Sequence, residues 1–275
     1  MITIKANKQK AGNSVGKSIK LIALDMDGTI LDDNGNFSNK TALKLKELTH
    51  KGIQVVFATG RTHRSAENVM NKMGISLPII SHNGSKAVVP LVGELYNNKM
   101  PLEDAKVILS HGDKNNLYSK AYIDNVLYIK EPDEVSLQFA KDHGIDYKVV
   151  GNLGENIPSG VNMIIFIYPE AVDEDYSEIF KTLNISITRS MPQAYEFMAE
   201  GCHKGKALKI VADYLGIKKE EILAVGNALN DLEMLKFAGT GIAMKNSDTN
   251  LLEVWDDISS FTNNEEGVYE MIKEL

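Results

Sequence analysis

Cysteine is nearly absent: Cys202 stands alone in 275 residues. One thiol cannot close a disulfide within the chain, so packing must hold the interior, and the usage fits a reducing compartment. No apolar run approaches the ~18 residues that span a bilayer. The first residues contain no apolar signal core. A cytoplasmic protein with no membrane partner is the expectation. Positive charge is in deficit, with a formal net charge of −7, which argues against a general nucleic-acid binder. His63, His82 and His203 are scattered, with no metal-ligand spacing. An anionic substrate would therefore need a local positive site, for which Lys204, Lys206 and Arg61 are available.

What remains is ample for a core. Hydrophobic residues make up 43% of the chain, and the length suits two domains or one large one. Residues 1–18 are polar and lysine-rich and read as a loose extension. Within it, residues 11–18 (Ala-Gly-Asn-Ser-Val-Gly-Lys-Ser) fit a relaxed phosphate-loop pattern. A true phosphate loop runs from a buried strand into a helix; here a strand follows, so the nucleotide-binding reading is set aside.

From residue 19 to 84 the pattern is strand, helix, strand, helix, strand. The first helix, about 39–51, starts at the N-cap candidate Ser38 and stops at Gly52. Residues 53–57 read as a strand, 63–73 as a helix ended by Gly74, and 79–80 as the start of a third strand. Between 86 and 190 the strand-like runs 117–130 and 161–168 alternate more with polar residues, as in an inserted α/β domain with a partly solvated sheet. After Lys204 the strand-helix alternation returns: helix to 215, strand 222–225, helix to 238, strand 240–243. This predicts a doubly wound, mainly parallel α/β core from residues 19–85 and 191–275, with residues 86–190 inserted as a second domain.

The chemistry concentrates at Asp25-Met26-Asp27-Gly28-Thr29. An apolar run, 19–24, reads as a buried parallel strand, and open α/β sheets place ligands at strand C-terminal ends. Two carboxylates converging there repel each other unless a cation or a shared proton intervenes. The pair suits a hard cation and a division into nucleophile and acid/base. Gly28 permits a tight turn. Other candidates carry plain structural alternatives. Thr59-Gly60 can be a strand-ending turn. Arg61 can pair with a core carboxylate instead of touching substrate. Asn83 can simply form an Asn-Gly turn. Lys204 can be a surface lysine at a helix start. Asn230-Asp231 can cap the following helix. Cys202 reads as incidental.

In order along the chain, Asp25-Met26-Asp27-Gly28-Thr29, Phe57-Ala58-Thr59-Gly60-Arg61, Lys204-Gly205-Lys206-Ala207-Leu208 and Gly226-Asn227-Ala228-Leu229-Asn230-Asp231 resemble the four motifs of the haloacid dehalogenase superfamily of phosphohydrolases. Ser81-His82-Asn83-Gly84 matches a turn of its Cof-type branch. The resemblance covers residues 19–275. It implies a Rossmann-like core under a C2-type cap and a magnesium-dependent phosphatase of small phosphate esters, with sugar phosphates first and flavin-pathway or pyridoxal phosphates next. It also implies Asp25 as nucleophile, Asp27 as acid/base, Thr59 and Lys204 as catalytic partners, and Met26, Gly60, Arg61, Asn83 and Asn230 as phosphate or substrate contacts. The implied Mg²⁺ ligands are Asp25, the Asp27 carbonyl and position 227, with Asp231 in or next to that set. One residue departs: the family's usual aspartate is Asn227 here, which keeps a carbonyl oxygen but brings no charge. A phosphomutase of the same fold and a catalytically weak phosphometabolite-binding protein are the alternative readings. The oligomeric state stays open.

Overall fold

The computed structural model describes residues 19–275. The extension 1–18, with its phosphate-loop-like stretch, lies outside the described residues. The chain opens with β1 (Leu21–Leu24), α1 (Asn39–His50), β2 (Gln54–Ala58), α2 (His63–Met73), β3 (Ile79–Ser81), β4 (Lys86–Val89) and β5 (Gly93–Asn97). It continues through α3 (Leu102–Lys114), β6 (Tyr118–Ile123), β7 (Val126–Ile129), α4 (Glu134–His143), β8 (Asp146–Val149), α5 (Leu153–Asn156), β9 (Met163–Ile167), α6 (Tyr176–Ile179), β10 (Ile185–Thr188) and β11 (Ala194–Ala199). It ends with α7 (Lys204–Leu215), β12 (Ile222–Gly226), α8 (Leu232–Phe237), β13 (Thr240–Ala243), α9 (Thr249–Leu252) and α10 (Gly267–Ile272).

Among the described residues the named strands form two sheets. The first has seven strands in the order β13-β12-β1-β2-β3-β4-β5. Its strands from β13 to β3 pair in parallel, and β4 and β5 add an antiparallel hairpin at the edge. β1 is buried at every position because it is covered on both faces. Ile22 and Leu24 pack with residues of α1, α2 and α10, while Leu21 and Ala23 pack with residues of α7 and α8. Alternation along one strand thus fills two separate cores, as a doubly wound sheet requires. Local signals set the helix ends. Ser38 accepts from the Lys40 N–H at the start of α1, Thr62 accepts from the Ser65 N–H at the start of α2, and Gly74 closes α2 in the left-handed conformation.

The second sheet has the order β10-β11-β9-β6-β7-β8 and is antiparallel apart from the β7–β8 pair. One of its faces buries an aromatic cluster in which Phe166, Tyr176, Phe180 and Phe197 meet with ring centroids 4.9 to 5.7 Å apart. Together the two sheets make a Rossmann-like core with a cap.

The expected boundaries need correction at both ends. Residues of β4 and β5, placed in the insertion by their polar texture, belong to the first sheet. That texture reflects a half-solvated edge hairpin, not a new domain. β11, placed in the core domain, lies in the second sheet between β10 and β9. The chain therefore crosses between sheets after β5 and again after β11. The two crossings run side by side, with the Asn98 side-chain amide donating to Cys202 Sγ at 3.3 Å.

Candidate functional site

The parallel strands of the first sheet end together. Asp25 follows β1 and remains in register, its N–H donating to Val225 O of β12 at 3.0 Å. The chain then turns sharply, with the N–H groups of Thr29, Ile30 and Leu31 all donating to Met26 O. Gly28 sits at φ +74°, and a Cβ there would stand 2.4 Å from the Asn227 side chain. Glycine is thus required both by the backbone and by its neighbour. Thr59 follows β2, with its N–H on Ile80 O. Asn227 follows β12, and Lys204 is the first residue of α7.

A buried ion cluster sits where these ends meet. Lys204 Nζ donates to Asp25 Oδ1 and to Asp231 Oδ1, each at 2.7 Å. Lys204 and Asp231 are fully buried and Asp25 nearly so. Asp231 Oδ2 in turn accepts from the N–H groups of Asn227 and Ala228 at 2.8 and 3.1 Å, which fixes the loop carrying Asn227. Burial and the facing Asp231 charge push the Asp25 carboxyl up to about 7, with Lys204 opposing in part. Burial lowers the Lys204 ammonium, but Asp231 and Asp25 outweigh it and hold the group above its ordinary value.

Asp27 projects outward, with more than half of its side chain exposed. Arg61 grips it as a fork, Nε to Oδ2 at 2.8 Å and Nη2 to Oδ1 at 2.5 Å. Enclosure works to raise this carboxyl, but the Arg61 hydrogen bonds and charge override it and hold the group below its ordinary value. Arg61, expected to contact phosphate or substrate, is thus engaged by the outer carboxylate of the motif. The same guanidinium donates to Ser65 Oγ, which bonds His143 of the cap at 2.9 Å. Thr59 Oγ1 accepts from the Arg61 N–H.

One end of the Asn227 side-chain amide stands 2.9 Å from the Asp27 carbonyl oxygen, 3.0 Å from Asp25 Oδ2 and 3.1 Å from Thr29 Oγ1. The carbonyl and the ionised carboxylate are acceptors only. With the amide oxygen at this end, hard oxygens would face one another at the spacing of adjacent ligands around Mg²⁺, about 2.8–3.0 Å for bonds of 2.0–2.1 Å. Asp25, the Asp27 carbonyl and Asn227 therefore fit a magnesium ion. Among the described residues, no three His, Cys, Asp or Glu residues cluster to hold a metal; this donor set depends on a backbone and an amide oxygen.

The remaining candidates divide. Met26 is wholly buried in the core, so only its backbone can serve a ligand. Gly60 lies against Asn83: a Cβ there would be 3.1 Å from Asn83 Oδ1. Asn83, at φ +52°, accepts from Asn230 Nδ2 at 3.0 Å and donates to Glu196 Oε2 at 2.6 Å. Lys206 is exposed and lies over the Tyr96 ring instead of joining the ion cluster. His82 is buried and holds Asp124 O of the cap. Glu196 was missed by the sequence reading. It is a buried cap carboxylate raised by burial, although hydrogen bonds from Ser190 and Asn83 oppose the shift. Its signal was available: one acid inside the otherwise uncharged stretch of β11. Beside Asn83 and Asn230 opens a cleft of about 200 Å³, lined also by Thr188, Met198 and His203. The Asn230 Oδ1 atom is buried there without a partner.

Known proteins share this architecture. A family described as haloacid dehalogenase-like hydrolase matches residues 22–272. A Bacillus subtilis protein named 5-amino-6-(5-phospho-D-ribitylamino)uracil phosphatase is 30% identical over 92% of this chain and 96% of its own. An HMP-PP phosphatase of Cronobacter sakazakii is 29% identical over 85% of this chain and 86% of its own. A solved structure from Thermotoga maritima is 33% identical, with a TM-score of 0.77 over 94% of this chain and 97% of that one. No helix among the described residues is long and apolar enough to cross a membrane. The family match spans nearly the whole described chain and ends on both sides of the cap, so this protein belongs to the haloacid dehalogenase-like hydrolases, as a Cof-type phosphatase.

Proposed function

We propose that this phosphatase is magnesium-dependent and hydrolyses small soluble phosphate monoesters through a phosphorylated Asp25. The observation carrying the reading is the buried Asp25–Lys204–Asp231 cluster at the sheet edge, two residues before a second, exposed carboxylate. Counting Asp25, Asp27 and Asp231 against Lys204 and Arg61, the site is net negative by one. A phosphate dianion entering it needs further positive charge, and a magnesium ion held by Asp25, the Asp27 carbonyl and Asn227 would supply that charge.

The chain's own groups do the rest. An Asp25 oxygen attacks phosphorus, the ester P–O bond breaks, and Asp27 delivers a proton to the departing alkoxide. Water then attacks the aspartyl phosphate, Asp27 takes its proton, and inorganic phosphate leaves. Lys204 stays on Asp25, positions the attacking carboxylate and offsets the negative charge of the phosphate that approaches it. The Thr59 hydroxyl and the N–H groups of Met26 and Asp27 hold the oxygens that do not react. Arg61 keeps Asp27 ionised until substrate arrives. An incoming phosphate would compete for the guanidinium, and Asp27, freed of it, would take up a proton from water and hold it for the departing alkoxide.

The relatives named above are named for esters of a ribitylamino-pyrimidine and for HMP-PP, and a sugar phosphatase also shares this fold. The substrate class we propose is therefore a phosphorylated polyol or sugar, with its leaving group in the Asn83–Asn230 cleft. A panel of sugar, flavin-pathway and pyridoxal phosphates, assayed for phosphate release with and without magnesium, tests this. Magnesium-dependent release from a polyol phosphate is the expected result. Isomerisation without release indicates a mutase. Binding without turnover favours the metabolite-binding reading, which Asn227 makes worth testing.

A further inference from the structure

Asn227 meets oxygen on three sides. One end of its amide lies within 3.1 Å of the Asp27 carbonyl, Asp25 Oδ2 and Thr29 Oγ1. An amide oxygen there accepts from Thr29 Oγ1 at 3.1 Å but also faces the Asp27 carbonyl and, when Asp25 is ionised, its Oδ2, neither of which can donate. An amide nitrogen there donates to the Asp27 carbonyl at 2.9 Å, Asp25 Oδ2 at 3.0 Å and Thr29 Oγ1 at 3.1 Å. The two ends of an amide differ little in size. The side chain can therefore exchange one for the other by turning about its last bond, without moving the loop that Asp231 fixes. Gly28 leaves the room: no Cβ crowds the other end of the amide.

We propose that Asn227 is a two-position amide gate, a reading that rests on the magnesium dependence proposed above. Without a cation the amide nitrogen points inward and ties the Asp25 carboxylate to the Asp27 carbonyl. With a cation the amide turns and presents Oδ1 to it. An aspartate at this position has only the second option. Metal-free, it would set another carboxylate 3.0 Å from Asp25 with no proton donor between them. The amide thus stands in for the ion as a donor, keeps the two ligand oxygens in place, and surrenders those hydrogen bonds when the ion binds.

The test compares wild type with Asn227→Asp, without substrate, by thermal unfolding in EDTA and in millimolar magnesium. In EDTA, Asn227→Asp should melt several degrees below wild type. In magnesium the order should reverse, because the aspartate gains at least tenfold in metal affinity by calorimetry. If Asn227→Asp is as stable as wild type in EDTA, the inward nitrogen is wrong, even where magnesium still stabilises both proteins and the metal reading survives. If magnesium stabilises neither protein, the metal reading fails and takes the gate with it. A second measurement does not depend on that variant folding. In ¹⁵N-labelled wild type, the Asn227 side-chain NH₂ pair, assigned by its loss in Asn227→Ala, should be protected from solvent exchange in EDTA. It should shift and exchange faster with magnesium. A pair that ignores magnesium overturns the gate.

Discussion

Replacing Lys204 by methionine should cost more stability at pH 8 than at pH 5, and the reason lies in the ion cluster. The ammonium is fully buried and stands 2.7 Å from Asp25 and from Asp231. At that distance and an effective dielectric of ~20, each attraction amounts to roughly 6 kcal/mol before desolvation is subtracted. Methionine matches the length of the stem but leaves two buried carboxylates facing each other with no cation. Orphaned buried charges of this kind typically cost about 3–5 kcal/mol. The sign with pH follows from proton binding. The Asp25 carboxyl is already raised to about 7 in the folded protein, and loss of Lys204 raises it further. The folded variant therefore binds more protons than the unfolded chain from about pH 4 upward, and acid restores part of the loss. Urea unfolding in EDTA at both pH values measures this. Adding Asp231→Asn to the variant should recover about half the loss at pH 8, because one carboxylate then has no charged rival. A loss below about 1 kcal/mol at pH 8, or equal losses at the two pH values, would refute the reasoning.

Asp25→Asn should abolish phosphate release, yet be more stable than wild type by about 1–3 kcal/mol at pH 8 in EDTA, because it removes a carboxylate whose ionisation is opposed by burial; residual activity above a tenth, or lower stability, counts against it. In Arg61→Ala the ¹³C-detected titration of the Asp27 carboxyl should move to higher pH, since Arg61 is what holds it low; an unmoved midpoint means the fork is incidental. Burial pushes the His82 imidazole down to about 3. The folded protein therefore keeps His82 neutral while the unfolded chain protonates it below about 6.5, and stability should fall by about 2 kcal/mol between pH 7 and 5 on this account. His82→Asn should flatten that slope in urea midpoints, and an identical slope would exclude the assignment.

The core was legible where burial is a local property. An unbroken apolar run followed by two acids marked β1 and the loop carrying Asp25 and Asp27. Ser38 and Gly74 marked helix ends by capping chemistry. That Asp25, Thr59 and Asn227 would end together at one sheet edge followed from the doubly wound topology, whereas the bond from Lys204 to Asp231, which was expected in or beside the metal ligands, did not. What stayed hidden depends on pairing across the chain. β4 and β5 look the same whether they edge the first sheet or begin a new one, and only the register with β3 decides. The partner of Arg61 was undecidable because several carboxylates were available to it. Glu196 was overlooked because a strand acid is usually solvent-facing, and its burial comes from lying between β9 and β10.

The central position of β1 also governs how a newly made chain acquires its site. β1 pairs with β2 on one edge and β12 on the other. β12 is synthesised about 200 residues after β1, an interval on the order of 10–40 s at ~5–20 residues per second. The cap sheet needs no strand made after β11 and can close during that interval. Asp25, by contrast, waits beside an unpaired apolar edge until Lys204 and then β12 have been made. A ribosome-bound chain can thus hold a complete second sheet while the first is still incomplete, and the apolar edge it exposes is that of the strand leading to Asp25.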